Sequence, residues 1–328
     1  MRIFITGITG FLGFHVAKAC AQAGHEVVAL VRSPAQLSLR FPFPVELLCG
    51  ELTQLEVLRK GLALVDAVIH CAADARMGAF ENDAQKQTNI AGLKCLMVAS
   101  QLCGVNRFIY ISTANTIQPG TAEKPADETV ALDCSRHLLP YVNSKIVAEA
   151  ILRQAFQKSG FPMIILNPTF ILGPEGVEKS SGKLLLKALG RKLLFVPSGG
   201  KNVVDVRDVG TAVLQSLAHG KLGEAYLLSN QNMSYKELFN SCCAVAQFKP
   251  VQCAIPNHLL WLLGALGTAY ERLTGKSFAV NHKTMALATQ QHFYTSAKAK
   301  RELGFEPRNV QETLEDTIKY LRDGAFFS

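Results

Sequence analysis

Cysteine pairs, membrane-length apolar runs and nucleic-acid signatures are all missing from this sequence. Its nine cysteines (Cys20, Cys49, Cys71, Cys95, Cys103, Cys134, Cys242, Cys243, Cys253) are odd in number and never spaced as CxxC. A zinc site therefore lacks its usual ligand spacing, and the scatter reads as buried, reduced thiols of a cytoplasmic protein. Glycine turns and polar residues break the N-terminal segment at once, so no secretory leader is expected. The most apolar stretch, LLWLLGALGTAY (259–270), is 12 residues long, against about 20 for a membrane span. It reads instead as a buried or lid-forming helix that carries the single tryptophan, Trp261. Zinc-finger, RNP and helix-turn-helix patterns are also missing, so the net charge of +8 does not signal nucleic acid. That charge suits a small anionic ligand or plain solubility. Lys179, Lys183 and Lys187 recur every four residues, as one solvated stripe of an expected helix.

What remains is the pattern of a large α/β protein. Hydrophobic residues make up 48% and charged ones 18% of the chain, enough apolar material for a well-buried core. RIFIT (2–6), EVVALV (26–31), VELLC (45–49), DAVIHCAA (66–73), RFIYIST (107–113) and PMIIL (162–166) read as continuous apolar strands. Helical patterns alternate with them, notably FHVAKACAQAG (14–24), GLKCLMVASQLCG (92–104) and YVNSKIVAEAILRQAFQKSG (141–160). Such alternation predicts a doubly wound parallel sheet covered on both faces. Past residue 170 the pattern turns irregular, with two or three helices and isolated strands such as AYLLS (225–229). The expected division is a nucleotide-binding domain over 1–170, with later contributions around 203–230, and a smaller substrate-binding lobe over 171–328.

TGITGFLG (6–13) supplies the first chemistry. Gly7, Gly10 and Gly13 follow a strand and open a helix at the start of a βαβ unit, the setting of a Rossmann-type dinucleotide cradle. Gly7 permits the tight turn, Gly10 the approach of the pyrophosphate, and Gly13 close packing of helix on strand. The helix N-terminus adds free N–H groups and partial positive charge. At the end of the second strand, where NAD binders place a carboxylate for the ribose 2′-hydroxyl, the chain has Val31, followed by Arg32 and Ser33. An arginine there is a planar charged donor for a 2′-phosphate. NADP is the expected cofactor, with NAD the alternative.

YVNSK places Tyr141 and Lys145 four residues apart behind Pro140, on one face of a helix start. An ammonium beside the phenol would lower its pKa from about 10 and tune it for proton transfer to and from a carbonyl or alcohol. Thr113, closing the fifth strand in ISTAN, can donate a hydrogen bond to a substrate carbonyl.

Taken together, TGxxGxxG, the Ser/Thr at the end of strand five and YxxxK resemble the extended short-chain dehydrogenase/reductase family. The likeness runs end to end. CGEL (49–52) is similar to the family's adenine contact, with Glu51 for the usual Asp. HCAA (70–73) resembles its loop beside the adenine–ribose half, TNIAG (88–92) its asparagine-bearing helix, and NPTFILGP (167–174) its loop after strand six. VVDVRDVG (203–210) and FYTSAKAKRELGFEP (293–307) resemble its C-terminal landmarks.

The resemblance implies a Thr113–Tyr141–Lys145 triad, with Ser112 as the fallback for Thr113. Thr113 and Tyr141 would bind the carbonyl oxygen, and Tyr141 would protonate it as hydride arrives from the nicotinamide. Lys145 would also hold the nicotinamide ribose. Gly7, Thr9, Gly10, Phe11 and Leu12 would contact the pyrophosphate, with Gly13 behind them. Glu51 and Leu52 would meet adenine; Cys71, Ala72 and Ala73 would line the ribose side; Pro168, Thr169 and Ile171 would meet the nicotinamide. Asn89 is either catalytic or a brace.

VRSP and GGKNVVDVRDV resemble the branch of dihydroflavonol reductases and 3β-hydroxysteroid dehydrogenases. The implied reaction is NADP-dependent reduction of a ketone or aldehyde of a small, fairly apolar substrate, or oxidation of the alcohol. A nucleotide-sugar epimerase or dehydratase is the first alternative. Such enzymes carry a carboxylate after strand two and an arginine before the VxDV strand, where this chain has Val31 and Asn202; Arg191 or Arg207 would have to substitute. A non-catalytic NADP-binding scaffold or sensor is the second alternative. Homodimers are common in the family.

Overall fold

The computed structural model describes residues 1–33, 35, 41–80, 83–130, 132, 139–189 and 191–326, so Cys134 and the side chain of Lys187 lie outside the described set. The first strands are β1 (Arg2–Thr6), β2 (Glu26–Val31), β3 (Glu46–Cys49), β4 (Ala67–His70), β5 (Arg107–Ile111) and β6 (Met163–Pro168). There follow β7 (Phe170–Leu172), β8 (Leu193–Val196), β9 (Gly200–Asp205), β10 (Ala225–Leu228), β11 (Gln231–Ser234), β12 (Val251–Ala254) and β13 (Gln291–His292).

A seven-stranded sheet runs in the order β10-β6-β5-β4-β1-β2-β3, and every pairing in it is parallel. Alternate side chains leave opposite faces. Ile3 and Ile5 of β1 pack with helices Phe11–Gln22, Val206–His219 and Ala297–Leu303 on one side. Phe4 packs with helices Leu55–Gly61, Gly92–Leu102 and Pro140–Ser159 on the other. Both faces are therefore buried, as the unbroken apolar strands require. The strand order reverses between β1 and β4, which opens a crevice at their carboxyl ends where open α/β sheets take ligands.

Several local expectations are corrected. AYLLS is not an isolated strand, because its β10 closes the edge of the main sheet beside β6. NPTFILGP is not a loop: Asn167 and Pro168 end β6, and β7 pairs with β9 two residues later. The lysine stripe does not form, since Lys179 ends a single 3-10 turn while Lys183 lies on a separate helix, Gly182–Ala188. The later part of the chain is also richer in helix than expected, with seven helices among the described residues beyond residue 170.

Helix Asn257–Thr274 is not a buried element either. Leu260, Gly264, Gly267, Thr268 and Glu271 form its packed side. Trp261 (59% exposed), Leu262, Leu266 and Leu273 (88%) face outward. Gly264 and Gly267 explain the docking, since a Cβ on Gly267 would lie 1.6 Å from the Val280 carbonyl oxygen. Among the described residues no helix is long and apolar enough to cross a membrane.

A smaller sheet sits over the carboxyl edge, in the order β11-β9-β13, with β7 joined to β9. It sets Lys201 of β9 beside His292 of β13 in parallel register.

Candidate active site

The glycine cradle is built by contacts that leave no space for a side chain. Gly7 has φ +81°, and a Cβ there would lie 2.7 Å from the Ala72 nitrogen; a Cβ on Gly13 would lie 2.1 Å from the Gly7 oxygen. The Gly10 N–H closes the turn on the Gly7 carbonyl at 2.9 Å. Gly10 then caps helix Phe11–Gln22 without any side-chain hydrogen bond. Thr9 and Gly10 are exposed, whereas the Phe11 ring is buried and Leu12 leans on the core. Those two residues thus have their backbone N–H groups, rather than their side chains, to offer an anion. An exposed, uncapped helix start of this shape fits a pyrophosphate.

The opposite wall is the segment after β4. The Ala72 N–H donates to the Thr6 hydroxyl at 3.3 Å, and that hydroxyl meets His70 Nδ1 at 2.7 Å. Burial, aided by Lys145, holds the His70 imidazole down at about 3, so it stays neutral. Cys71 is pushed up to about 12 by burial and remains a thiol. Asn89, on a widened helical turn over Gln87–Ala91, accepts from the Asp74 N–H at 2.8 Å and donates to the Asp74 carbonyl at 3.0 Å. It also donates to the Ser144 hydroxyl at 2.9 Å. These hydrogen bonds join this segment to the helix of Tyr141.

On the rim, Val31 is buried and Arg32 exposed at the end of β2, close enough to add to the depression of the Asp74 carboxyl, which is led by its hydrogen bond from Arg76. Glu51 is exposed, and Leu52 is half-buried under Gly92.

Helix Pro140–Ser159 starts on Pro140 and ends on Gly160 at φ +66°. It buries Tyr141 (9% exposed) and Lys145 (2%) on the same side. The Lys145 ammonium donates to the Ile111 carbonyl at 2.7 Å and lies 4.5 Å from the centre of the Tyr110 ring. Burial pulls Lys145 down to about 8, partly offset by Glu149. Burial also pushes the Tyr141 phenol up to about 12. The phenol is thus less acidic than expected, because losing water penalises the phenolate.

Ser112 and Thr113 differ sharply. The Ser112 hydroxyl donates to Glu149 Oε1 at 2.5 Å, and the same oxygen takes Thr116 (2.8 Å) and Asn167 (2.8 Å). Thr113 lines a cavity of about 60 Å³ with Thr169, Lys201, Asn202 and His292. Pro168 is buried in β6, Ile171 is half-buried in β7, and the Thr169 hydroxyl donates to Asn202 at 2.8 Å.

The NAD dependent epimerase/dehydratase family model matches residues 3–229, more than two thirds of the chain. The chain belongs to this family. It falls in the extended short-chain dehydrogenase/reductase branch, and relatives it matches are named as reductases and dehydrogenases. A putative dihydroflavonol 4-reductase of Synechocystis sp. is 24% identical, over 98% of this chain and 95% of that protein. A 2-alkyl-3-oxoalkanoate reductase of Stenotrophomonas maltophilia is 28% identical, over 98% of each. The solved UDP-glucose 4-epimerase of Thermotoga maritima, with UDP-glucose, shares the fold at a TM-score of 0.75 and 20% identity, over 99% of each chain.

Within this family member, sequence reasoning missed Glu149, Asn167, Lys201 and His292. Glu149 had a signal, four residues after Lys145 on the same helix face. The other three are brought in by β6, β9 and β13, whose side chains converge only in three dimensions.

Proposed function

We propose that this enzyme uses NADP to reduce a ketone or aldehyde of a small, fairly apolar substrate, or to oxidise the corresponding alcohol. Thr113 and Tyr141 hold the carbonyl oxygen, and Lys145 sets the charge beneath them. Carbonyl, NADPH and a proton give alcohol and NADP⁺. The bound cofactor supplies the hydride, and Tyr141 delivers the proton to the nascent alkoxide oxygen. Lys145, at about 8, stays largely charged at neutral pH and stabilises the phenolate left behind. Residues beyond 171 form the substrate side of the cleft.

The observation that carries this reading is the division of labour between Ser112 and Thr113. Ser112 is spent on Glu149, while Thr113 opens on the cavity at the carboxyl edge of the sheet. The cofactor assignment rests on the buried Val31 and exposed Arg32.

Asn202 weighs against the epimerase alternative. It stands where such an enzyme carries arginine, and its amide is consumed by Thr169, Asn230 and Asn232. Arg207 does not replace it, being paired with Asp205 (2.7 Å) and Asp316 (2.6 Å). The test is NADPH oxidation against a panel of aliphatic and aromatic ketones and aldehydes. Turnover that disappears in Tyr141→Phe supports the reading; NADPH binding with no turnover on any carbonyl overturns it.

A further inference from the structure

The cavity beside Thr113 holds two polar groups that the chemistry above does not use. Lys201 and His292 are neighbours across β9 and β13 in direct register, and both line the cavity. No hydrogen bond or ion pair of the Lys201 amine is found among the described residues, and no carboxylate side chain lines the cavity. His292 is 4% exposed, and its Nδ1 is buried without a partner. The other ring nitrogen, Nε2, meets the Leu287 carbonyl at 3.2 Å. That contact requires a proton on Nε2, so Nδ1 presents a lone pair. Of the remaining polar lining, Asn202 is committed to its neighbours, Thr169 to Asn202, and the Tyr294 hydroxyl to the Ala114 carbonyl at 3.1 Å, while the Asn115 amide is a further neutral group on the wall.

Lys201 is half-buried, and an amine left at a cavity wall without a counter-ion is a ready partner for a ligand's negative charge. We infer that Lys201 is the receptor for a carboxylate on the substrate, held one cavity's width from the carbonyl that Thr113 contacts. The substrate class is then an oxo acid or the matching hydroxy acid, with an apolar remainder. The cavity, about 60 Å³ and open at its mouth, has room for a small acid group against Lys201. Charge agrees, because a single ammonium neutralises a single negative charge, and the neutral imidazole adds none. Burial pulls the Lys201 amine down to about 8, which leaves it mostly protonated at pH 7. The His292 ring beside it on the wall is neutral, which leaves the ammonium as the charged group of the lining. This inference rests on the oxidoreductase reading for its carbonyl, but not for its anion.

The experiment uses 3-hydroxyoctanoate and its methyl ester, with calorimetric binding to the NADP⁺-loaded protein and oxidation followed at 340 nm as readouts. The acid is expected to bind at least about tenfold more tightly than the ester, a difference of about 1.4 kcal/mol. In Lys201→Met that ratio is expected to fall towards one, and in Lys201→Arg to be largely kept. A ratio near one in the wild type overturns the inference, as does a ratio that survives in Lys201→Met. Should Lys201→Met fail to fold, the wild-type ratio and the Lys201→Arg ratio still decide. Lys201-dependent binding of UDP-glucose, tighter than that of the acid, would reassign the amine to a diphosphate and overturn the carboxylate. The two readings fail separately: acid-selective binding without oxidation sinks the oxidoreductase and leaves the acid site, whereas oxidation with no acid preference does the reverse.

Discussion

The amide of Asn89 donates to the hydroxyl of Ser144 at 2.9 Å. Through this bond the segment after β4 is tied to the helix that carries Tyr141, and the Ser144 hydroxyl in turn donates to the Tyr141 carbonyl at 2.7 Å. Asn89 is fully engaged, with Asp74 satisfying the rest of its amide. Asn89→Ala is expected to cost about 2 kcal/mol of stability, because the half-buried Asp74 backbone groups and the buried Ser144 hydroxyl lose a partner. The check is a denaturant melt together with the affinity for NADP⁺, which should weaken as the Asp74 segment loosens. An unchanged midpoint would show the brace to be idle.

Tyr141→Phe removes one oxygen and leaves the buried ring in place. Turnover of a carbonyl substrate is expected to fall about 100- to 10,000-fold, the usual worth of a positioned acid. Affinity for NADPH, measured by fluorescence, should stay within about twofold, inside a few tenths of a kcal/mol. A small loss of rate would assign the proton to another group.

For the cofactor, Arg32→Ala is expected to reduce the preference for NADPH over NADH at least about tenfold, since a charged hydrogen bond is worth about 1.5–3 kcal/mol. Comparing kcat/KM for both coenzymes at two salt concentrations checks it. A preference that does not move removes Arg32 from the site.

Gly13→Ala tests the cradle. The added methyl would lie 2.1 Å from the Gly7 oxygen, so the helix must shift away from the turn. Overpacking of this kind costs about 1–3 kcal/mol, and NADPH affinity should fall with it. Gly24→Ala is a control with open space at the methyl, though its φ of +80° carries a backbone penalty. Of the two, only the first is expected to impair cofactor binding.

Acid should weaken the fold through two buried histidines. His70 and His292 are both held at about 3 by burial, against 6.5 when exposed. Their neutral forms are favoured in the folded chain, so the unfolded chain binds more protons between pH 6.5 and 3. Stability is complete above 6.5 and drains away as pH falls through that window, on the order of 1 kcal/mol per pH unit for each group. Urea midpoints from pH 7 to 4 should therefore fall less steeply in His70→Gln than in the wild type. Parallel slopes would mean that other groups set the acid limit.

Much of the sheet could be read from the strands alone, because a strand buried on both faces must be apolar throughout. RIFIT, EVVALV, DAVIHCAA and PMIIL match β1, β2, β4 and β6 to within a few residues. The cradle was legible for a similar reason. Gly7 and Gly13 answer a local steric demand, and local demands leave marks at fixed spacing. Tyr141 and Lys145 showed their common face through the helical repeat.

The rest needed the folded chain. Sequence spacing could not say that burial raises the Tyr141 phenol, since desolvation depends on everything packed around the ring. It put Thr113 before Ser112 by resemblance, but could not say that Ser112 is engaged by Glu149, some 35 residues further on. Lys201 and His292 lie far apart in the chain and carry no shared motif. By itself the sequence determined the strands, the glycine turn and the helical pair, all of which obey short-range geometry. Tertiary structure alone decided which polar groups are spent on one another and which are left facing the cavity, because that accounting is settled by contacts between distant segments.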